Sequence, residues 1–310
     1  WDEWYTTVLR HVPPPADLVE AGRKYLGPAA GSALIVFALV LLIFGRRSAL
    51  PAGSLAMLVG FGVANYRYEL FPWWPPAGGR FWLPLLFLGA QVDGLLARSG
   101  GVPFWGRWRL RLGIGLLAAL LLVPPDLHKA WPSVWPQWPY LFQAKAWPLA
   151  AFTLVVAFGW AGSEAVARQS PGGVVGVGLS LALFGASIVV LHAHSGSLAE
   201  MLTFPAAALL GVSVAALFCK VDIGGAVPGV ALLCPALVLV GFHETFDHHI
   251  PWFAFLLAGI PLLTTGLLAV PPLSRLTGFR KWALFWVLCL GPTIAAVTLA
   301  VRAESLVEEW

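Results

Sequence analysis

The sequence predicts an all-α, polytopic integral membrane protein of about ten transmembrane helices, and three observations carry that prediction. Hydrophobic residues make up 59% of the 310 residues and charged residues only 11%, where an average soluble domain has roughly 25% charged. Apolar runs recur about every 25 residues with almost no charge inside them, most near the length a helix needs to cross about 30 Å of hydrocarbon. Lys and Arg gather in alternate connections between those runs, as the orientation rule for membrane helices requires. No sizeable soluble domain fits between the runs.

Taken in order, residues 1–26 mix charge, aromatics and Pro13, Pro14 and Pro15, and read as an interfacial N-terminal tail. The chain begins at Trp1 with no initiator Met, which suits a leader or an earlier helix preceding it. The apolar segments follow at 27–45, 49–65, 81–97, 110–123, 147–165, 172–191, 201–219, 226–242, 251–270 and 282–301. The fourth is short for a span. Grouped, they give helices 1–4 over 27–123, a Trp/Pro-rich outer loop at 124–146, a central hairpin of helices 5 and 6 over 147–191, and helices 7–10 over 201–301.

That grouping rests on an internal pseudo-repeat. Pro28-Ala29-Ala30 opens the first span and Pro205-Ala206-Ala207 enters the seventh, with Pro51 and Pro228 at the same offset beyond them. Pro72-Trp73 and Pro251-Trp252 then precede helices that end in Gly94-Leu95-Leu96-Ala97 and Gly266-Leu267-Leu268-Ala269. Two related four-helix halves around a central pair make a 4+2+4 plan. An even number of helices per half makes the repeat parallel, about an axis along the membrane normal.

Orientation follows from the basic residues. One set of connections holds Arg46, Arg47, Arg98, Arg107, Arg109, Arg111, Arg168, Lys220, Arg275, Arg280 and Lys281, and is expected to face the cytoplasm. The other set holds Arg67, Arg80, Lys129 and Lys145, and is expected outside together with both termini. Trp73, Trp74, Trp82, Trp131, Trp135, Trp138, Trp147 and Trp252 fall at the predicted outer ends, where indole rings favour the headgroup layer. A bacterial inner membrane is the simplest location, and the lipid bilayer the first partner.

Composition also excludes functions. The net charge of +4 is small and its basic residues lie scattered through short connections, so nucleic acid is not an expected partner. Cys219, Cys234 and Cys289 sit in apolar segments with no paired spacing, which argues for packing and against disulfides or a thiolate metal site. Small residues four apart, as in Ala56/Gly60/Ala64, Gly178/Ala182/Ala186 and Ala207/Gly211/Ala215, mark close helix contacts. No nucleophile elbow, Walker loop, haem-attachment motif or dinucleotide fingerprint is present, which leans against an enzyme.

The candidate chemistry is a histidine and carboxylate set in two outer loops. His243-Glu244-Thr245-Phe246-Asp247-His248-His249 interrupts two apolar stretches, and His192-Ala193-His194 lies in the preceding outer loop. In a helical register, residues four apart share a face. His192, His194, His243, Asp247 and His248 are therefore the candidate ligands of a divalent ion such as zinc, which accepts mixed nitrogen and oxygen donors. The metalloprotease pattern H-E-x-x-H is one ligand short here, because Asp247 stands at its second histidine.

Within the spans, Asp93 and Glu164 are the ionisable residues nearest the midplane. Arg98 and Arg168, about one turn away, are their expected partners, with Gln91 and Asp93 as the alternative walls of a polar path. Three functional readings follow. The first is a permease-like protein that handles a small solute between two halves. The second is a scaffold that assembles with another membrane protein, and the third an outer-face metal-binding protein or enzyme.

Overall fold

The computed structural model describes residue 20 and residues 22–67, 79–96, 104–122, 138–170, 173–193, 196–244 and 250–308. Each of the ten apolar segments is helical over most of its described residues, and no strand occurs among the described residues. A π-helical turn, Gly22–Leu26, leads into α1 (Gly27–Phe44), and a 3-10 turn, Arg46–Ser48, joins it to α2 (Ala49–Arg67). Then come α3 (Gly79–Leu96), α4 (Phe104–Leu122), α5 (Trp138–Gln169), α6 (Val174–His192) and α7 (Gly196–Cys219). A 3-10 turn, Gly224–Ala226, opens α8 (Val227–Glu244), which is followed by α9 (Trp252–Gly259), α10 (Pro261–Gly266) and α11 (Gly278–Glu308). Helices α9 and α10 form one span, interrupted at Ile260 because Pro261 has no N–H to continue the ladder.

Eight of these spans are long and apolar enough to cross a membrane, and Trp82–Leu96 is a shorter apolar helix. The remaining one, α4, has 19 residues but carries Arg107, Arg109 and Arg111 in its first two turns. The protein is thus an all-α, multi-pass membrane protein. Its surface agrees: Phe218 and Phe279 are 84% and 85% exposed, and Leu42 is 81% exposed. Such rings and branched chains would be an aggregation hazard in water and are ordinary against lipid.

Inside the bundle, close backbone approach does much of the packing, since lipid tails remove most of the hydrophobic drive between helices. A Cβ on Gly60 of α2 would sit 2.8 Å from both the Ala208 Cβ and the Ala29 carbonyl oxygen, and one on Gly211 of α7 would sit 2.1 Å from the Ala30 carbonyl oxygen. Helices α1, α2 and α7 are drawn together along that column. The expected small-residue columns of α2, α6 and α7 are accordingly buried. Gly178 of α6 likewise admits the Phe285 ring of α11, and Gly162 of α5 lies against the backbone of Gly266 in α10.

These glycines also decide the neighbours of the two helices expected as a central hairpin. Helix α5 packs against α4, α8 and α10, whereas α6 packs against α7, α11 and α9; the two have little contact with each other. The turn between α1 and α2 is tight because Gly45 takes φ 75° and passes its N–H to the Leu41 carbonyl, while Ser48 Oγ donates to the Gly45 carbonyl at 2.6 Å. The alternating direction of successive helices places this turn, Ser170, Gly173, residues 220–226 and residues 267–277 at one end of the bundle. That end carries Arg46, Arg47, Arg107, Arg109, Arg111, Arg168, Arg275 and Arg280.

Candidate functional site

The polar centre of the molecule lies where α3, α4 and α5 meet near the arginine-bearing end. Helix α3 contributes Asp93 in its last turn, α4 contributes Arg107 and Arg111 in its first two turns, and α5 contributes Glu164 and Arg168 in its last two. Residues four apart stack on one helix face, so Arg107 and Arg111 turn inward together while Arg109 between them is exposed. The same spacing aligns Glu164 with Arg168. Asp93 and Glu164 are 1% and 2% exposed, and Arg111 is 7% exposed.

The side chains form one connected network. Arg107 grips Asp93 with a two-pronged bond, Nε donating to Oδ1 at 3.2 Å and Nη2 to Oδ2 at 3.1 Å, and its Nη2 also donates to Glu164 Oε1 at 2.7 Å. Arg111 Nη2 donates to Glu164 Oε2 at 2.5 Å and reaches Asp93 Oδ2 at 3.5 Å. Arg168 Nη2 closes on Glu164 Oε1 at 2.5 Å. The planar guanidinium fork suits such shared carboxylates better than an ammonium would. Arg111 is further flanked by aromatic faces, its guanidinium carbon 5.9 Å from the Trp108 ring and 5.7 Å from the Trp160 ring.

The second half of the chain touches this network through the turn that opens α8. A Cβ on Gly224 would fall 2.7 Å from Arg168 Cγ, so the arginine stem runs directly over a glycine. Beside it Ser54 Oγ of α2 donates to the Gly225 carbonyl at 2.6 Å, and Gln91 Nε2 of α3 donates to the Ala226 carbonyl at 3.4 Å. Gly94, one turn beyond Gln91, leaves the room that Ser54 occupies. Several buried polar atoms are left without a hydrogen-bond partner among the described residues, three of them here: Gln91 Oε1, Arg111 Nε and Trp160 Nε1. Buried polar groups are nearly always paired, so three such atoms in one region mark it out.

Of the histidine and carboxylate set expected in the outer loops, His192 ends α6 and its Nδ1 is engaged by the Glu304 carboxylate of α11. His243 lies in the last turn of α8, with its side chain outside the described set; His194, Asp247 and His248 lie outside the described residues. Among the described residues no three His, Cys, Asp or Glu side chains come together as a metal site. Of the expected pairings within the spans, Glu164 with Arg168 is present. Asp93 instead takes Arg107 and Arg111, fourteen and eighteen residues along the chain; Arg98 lies outside the described residues.

A concavity of about 270 Å³ opens between α5, α8 and the α9–α10 span, lined by Phe152, Pro235, Phe242, Trp252, Phe255 and Leu263 among others. Its wall is almost wholly apolar and suits hydrocarbon. It is separate from the charged cluster. No protein-family model matches the chain, and no protein of curated function matches it.

Proposed function

We propose that this membrane protein is permease-like, handling a small polar solute at the junction where the first four helices, α5 and the turn before α8 converge. The observation that carries the reading is the buried set Gln91, Asp93, Arg111 and Glu164, which sits inside a bundle whose other faces are apolar. Charged groups in such a place are costly and usually mark a substrate or ion path. The contact between Ser54 or Gln91 and the Gly225–Ala226 carbonyls crosses from the first half of the proposed 4+2+4 plan to the second. A path between halves would run along those contacts. The proposed setting is a bacterial inner membrane with both termini outside.

Cysteine accessibility tests the reading. In a background with Cys219, Cys234 and Cys289 replaced by Ala, single cysteines at Ser54 and Gln91, both fully buried, are challenged in sealed vesicles of each orientation with a membrane-impermeant maleimide. An opening protein labels both positions from at least one face on the timescale of minutes. Complete protection from both faces, while an Arg109→Cys control labels fully, rejects a permease. The second reading, a scaffold for another membrane protein, is supported by Trp147 and Trp252 projecting at 79% and 62% exposure. A lone monodisperse monomer in several mild detergents counts against it.

A further inference from the structure

We propose that the arginine cluster binds a phosphate-bearing anion, with Arg111 Nε and Trp160 Nε1 as buried donors and Arg168 as the arm that meets the ligand from the surface. The inference deepens the solute-handling reading above and rests on it for the ligand's role, though not for its binding. Charge makes the first part of the case. Three guanidiniums share two carboxylates, so the network carries an excess positive charge even with both carboxylates ionised. The surplus falls toward the partly exposed edge of the network, where Arg168 is 34% exposed, and it draws an anion to that edge.

Hydrogen bonding makes the second part, independently. Arg111 Nε and Trp160 Nε1 are both donors, both are buried, and neither has an acceptor among the described residues. The guanidinium carbon of Arg111 lies 5.7 Å from the Trp160 ring centroid, which places the two donors in one neighbourhood. A water molecule would satisfy a donor and leave the charge. An oxyanion satisfies both, and phosphate offers several acceptor oxygens to arginine forks.

Access makes the third part. Arg107 and Arg168 are 18% and 34% exposed, so the cluster has a surface edge. That edge lies at the end of the bundle that also presents Arg46, Arg47, Arg109, Lys220, Arg275, Arg280 and Lys281, with Asp222 the further carboxylate on its described connections. The field there attracts anions. The same chemistry recognises a free phosphate and a phospholipid headgroup, because basic pockets between membrane helices take either.

The test uses the full chain in mild detergent, with thermal unfolding followed by tryptophan fluorescence at constant ionic strength. One arm titrates inorganic phosphate against chloride, and the other titrates a short-chain phosphatidylglycerol. Arg168→Gln brings the cluster to two guanidiniums and two carboxylates, a self-compensated set that keeps the fold. Arg109→Gln removes an exposed charge from the opposite face of α4. A saturable rise in Tm is expected in at least one arm, about tenfold weaker in affinity for Arg168→Gln and unchanged for Arg109→Gln. A response to phosphate identifies a free solute, and a response to the lipid alone identifies a headgroup. No saturable response in either arm, or an equal response in Arg168→Gln, overturns the proposal. Binding without labelling of the Ser54 and Gln91 positions sinks the permease reading and leaves the anion site standing; labelling without binding does the reverse.

Discussion

Replacing Glu164 with Gln tests how much of the bundle's stability rests on the charged junction. Glu164 accepts hydrogen bonds from three guanidiniums, those of Arg107 at 2.7 Å, Arg111 at 2.5 Å and Arg168 at 2.5 Å. Glutamine keeps the shape and one acceptor oxygen and removes the charge. Arg168 is a third exposed and its share is small, under about 1 kcal/mol. Arg107 and Arg111 are more deeply buried, and stripping a partner from a buried ion pair costs about 3–5 kcal/mol because it leaves a charge uncompensated. The loss should therefore fall in that range, read as unfolding in mixed detergent micelles of increasing denaturing-detergent fraction. The double variant Glu164→Gln with Arg111→Gln leaves two guanidiniums and one carboxylate, the wild-type charge balance, and should recover more than half of the loss. A single variant within about 0.5 kcal/mol of wild type, or a double variant that adds the two single losses, refutes the view of the cluster as one coupled network.

Three further outcomes follow from packing and from the helix junctions. Gly162→Ala places a Cβ 2.7 Å from the Gly266 Cα and should destabilise by about 1–3 kcal/mol, whereas Gly31→Ala meets nothing within 4 Å and should be neutral or stabilise by up to about 1 kcal/mol; the same micelle unfolding assay should return opposite signs. Thr264→Val removes the hydroxyl that donates to the Leu288 carbonyl at 2.7 Å between α10 and α11, and should cost about 0.6 kcal/mol, with a loss above about 2 kcal/mol inconsistent with a single interhelical bond. A double-mutant cycle over His192→Gln and Glu304→Gln should give a coupling of at most about 1 kcal/mol, since both side chains are partly exposed.

Most of the spans were legible because they are runs of apolar residues long enough to cross lipid, and the structure changes mainly their ends. Helix α4 begins at Phe104, six residues before the apolar run, and α5 begins at Trp138, inside the stretch expected as an outer loop. Hydropathy stops at the first charges; a helix does not, when those charges have partners. Arg107 and Arg111 read as loop residues in the sequence, yet their four-residue spacing about an outward Arg109 is a helical signal in its own right. Pairing Asp93 with the nearest arginine in sequence failed to reach α4 because the pairing is tertiary. Trp160 gave no signal, since an indole inside an apolar run looks like any other packing residue. The outer histidines drew attention as a motif, but His192 finds a carboxylate on α11 that lies 112 residues away.

Two ionic junctions then divide the bundle in an unequal way. At the arginine-bearing end, the cluster ties α5 to α3 and α4, and at the opposite end His192 ties α6 to α11. Helices α5 and α6 have little contact with each other: α5 packs against α4, α8 and α10, and α6 against α7, α11 and α9, so the two meet through the span that α9 and α10 form. Moving α5 away from α3 and α4 breaks the arginine junction, and moving α6 away from α11 breaks the histidine junction. The single, partly exposed His192–Glu304 pair is worth at most about 1 kcal/mol, against about 3–5 kcal/mol for a break in the buried network. In ionic terms, parting α6 from α11 is therefore cheaper than parting α5 from α3 and α4. In the permease reading the arginine end opens only when something else compensates its guanidiniums, and an anion is the ligand that does so. On the proposed reading, solute binding and opening of that end are thus one event, and maleimide labelling at Ser54 and Gln91 should rise when phosphate is present.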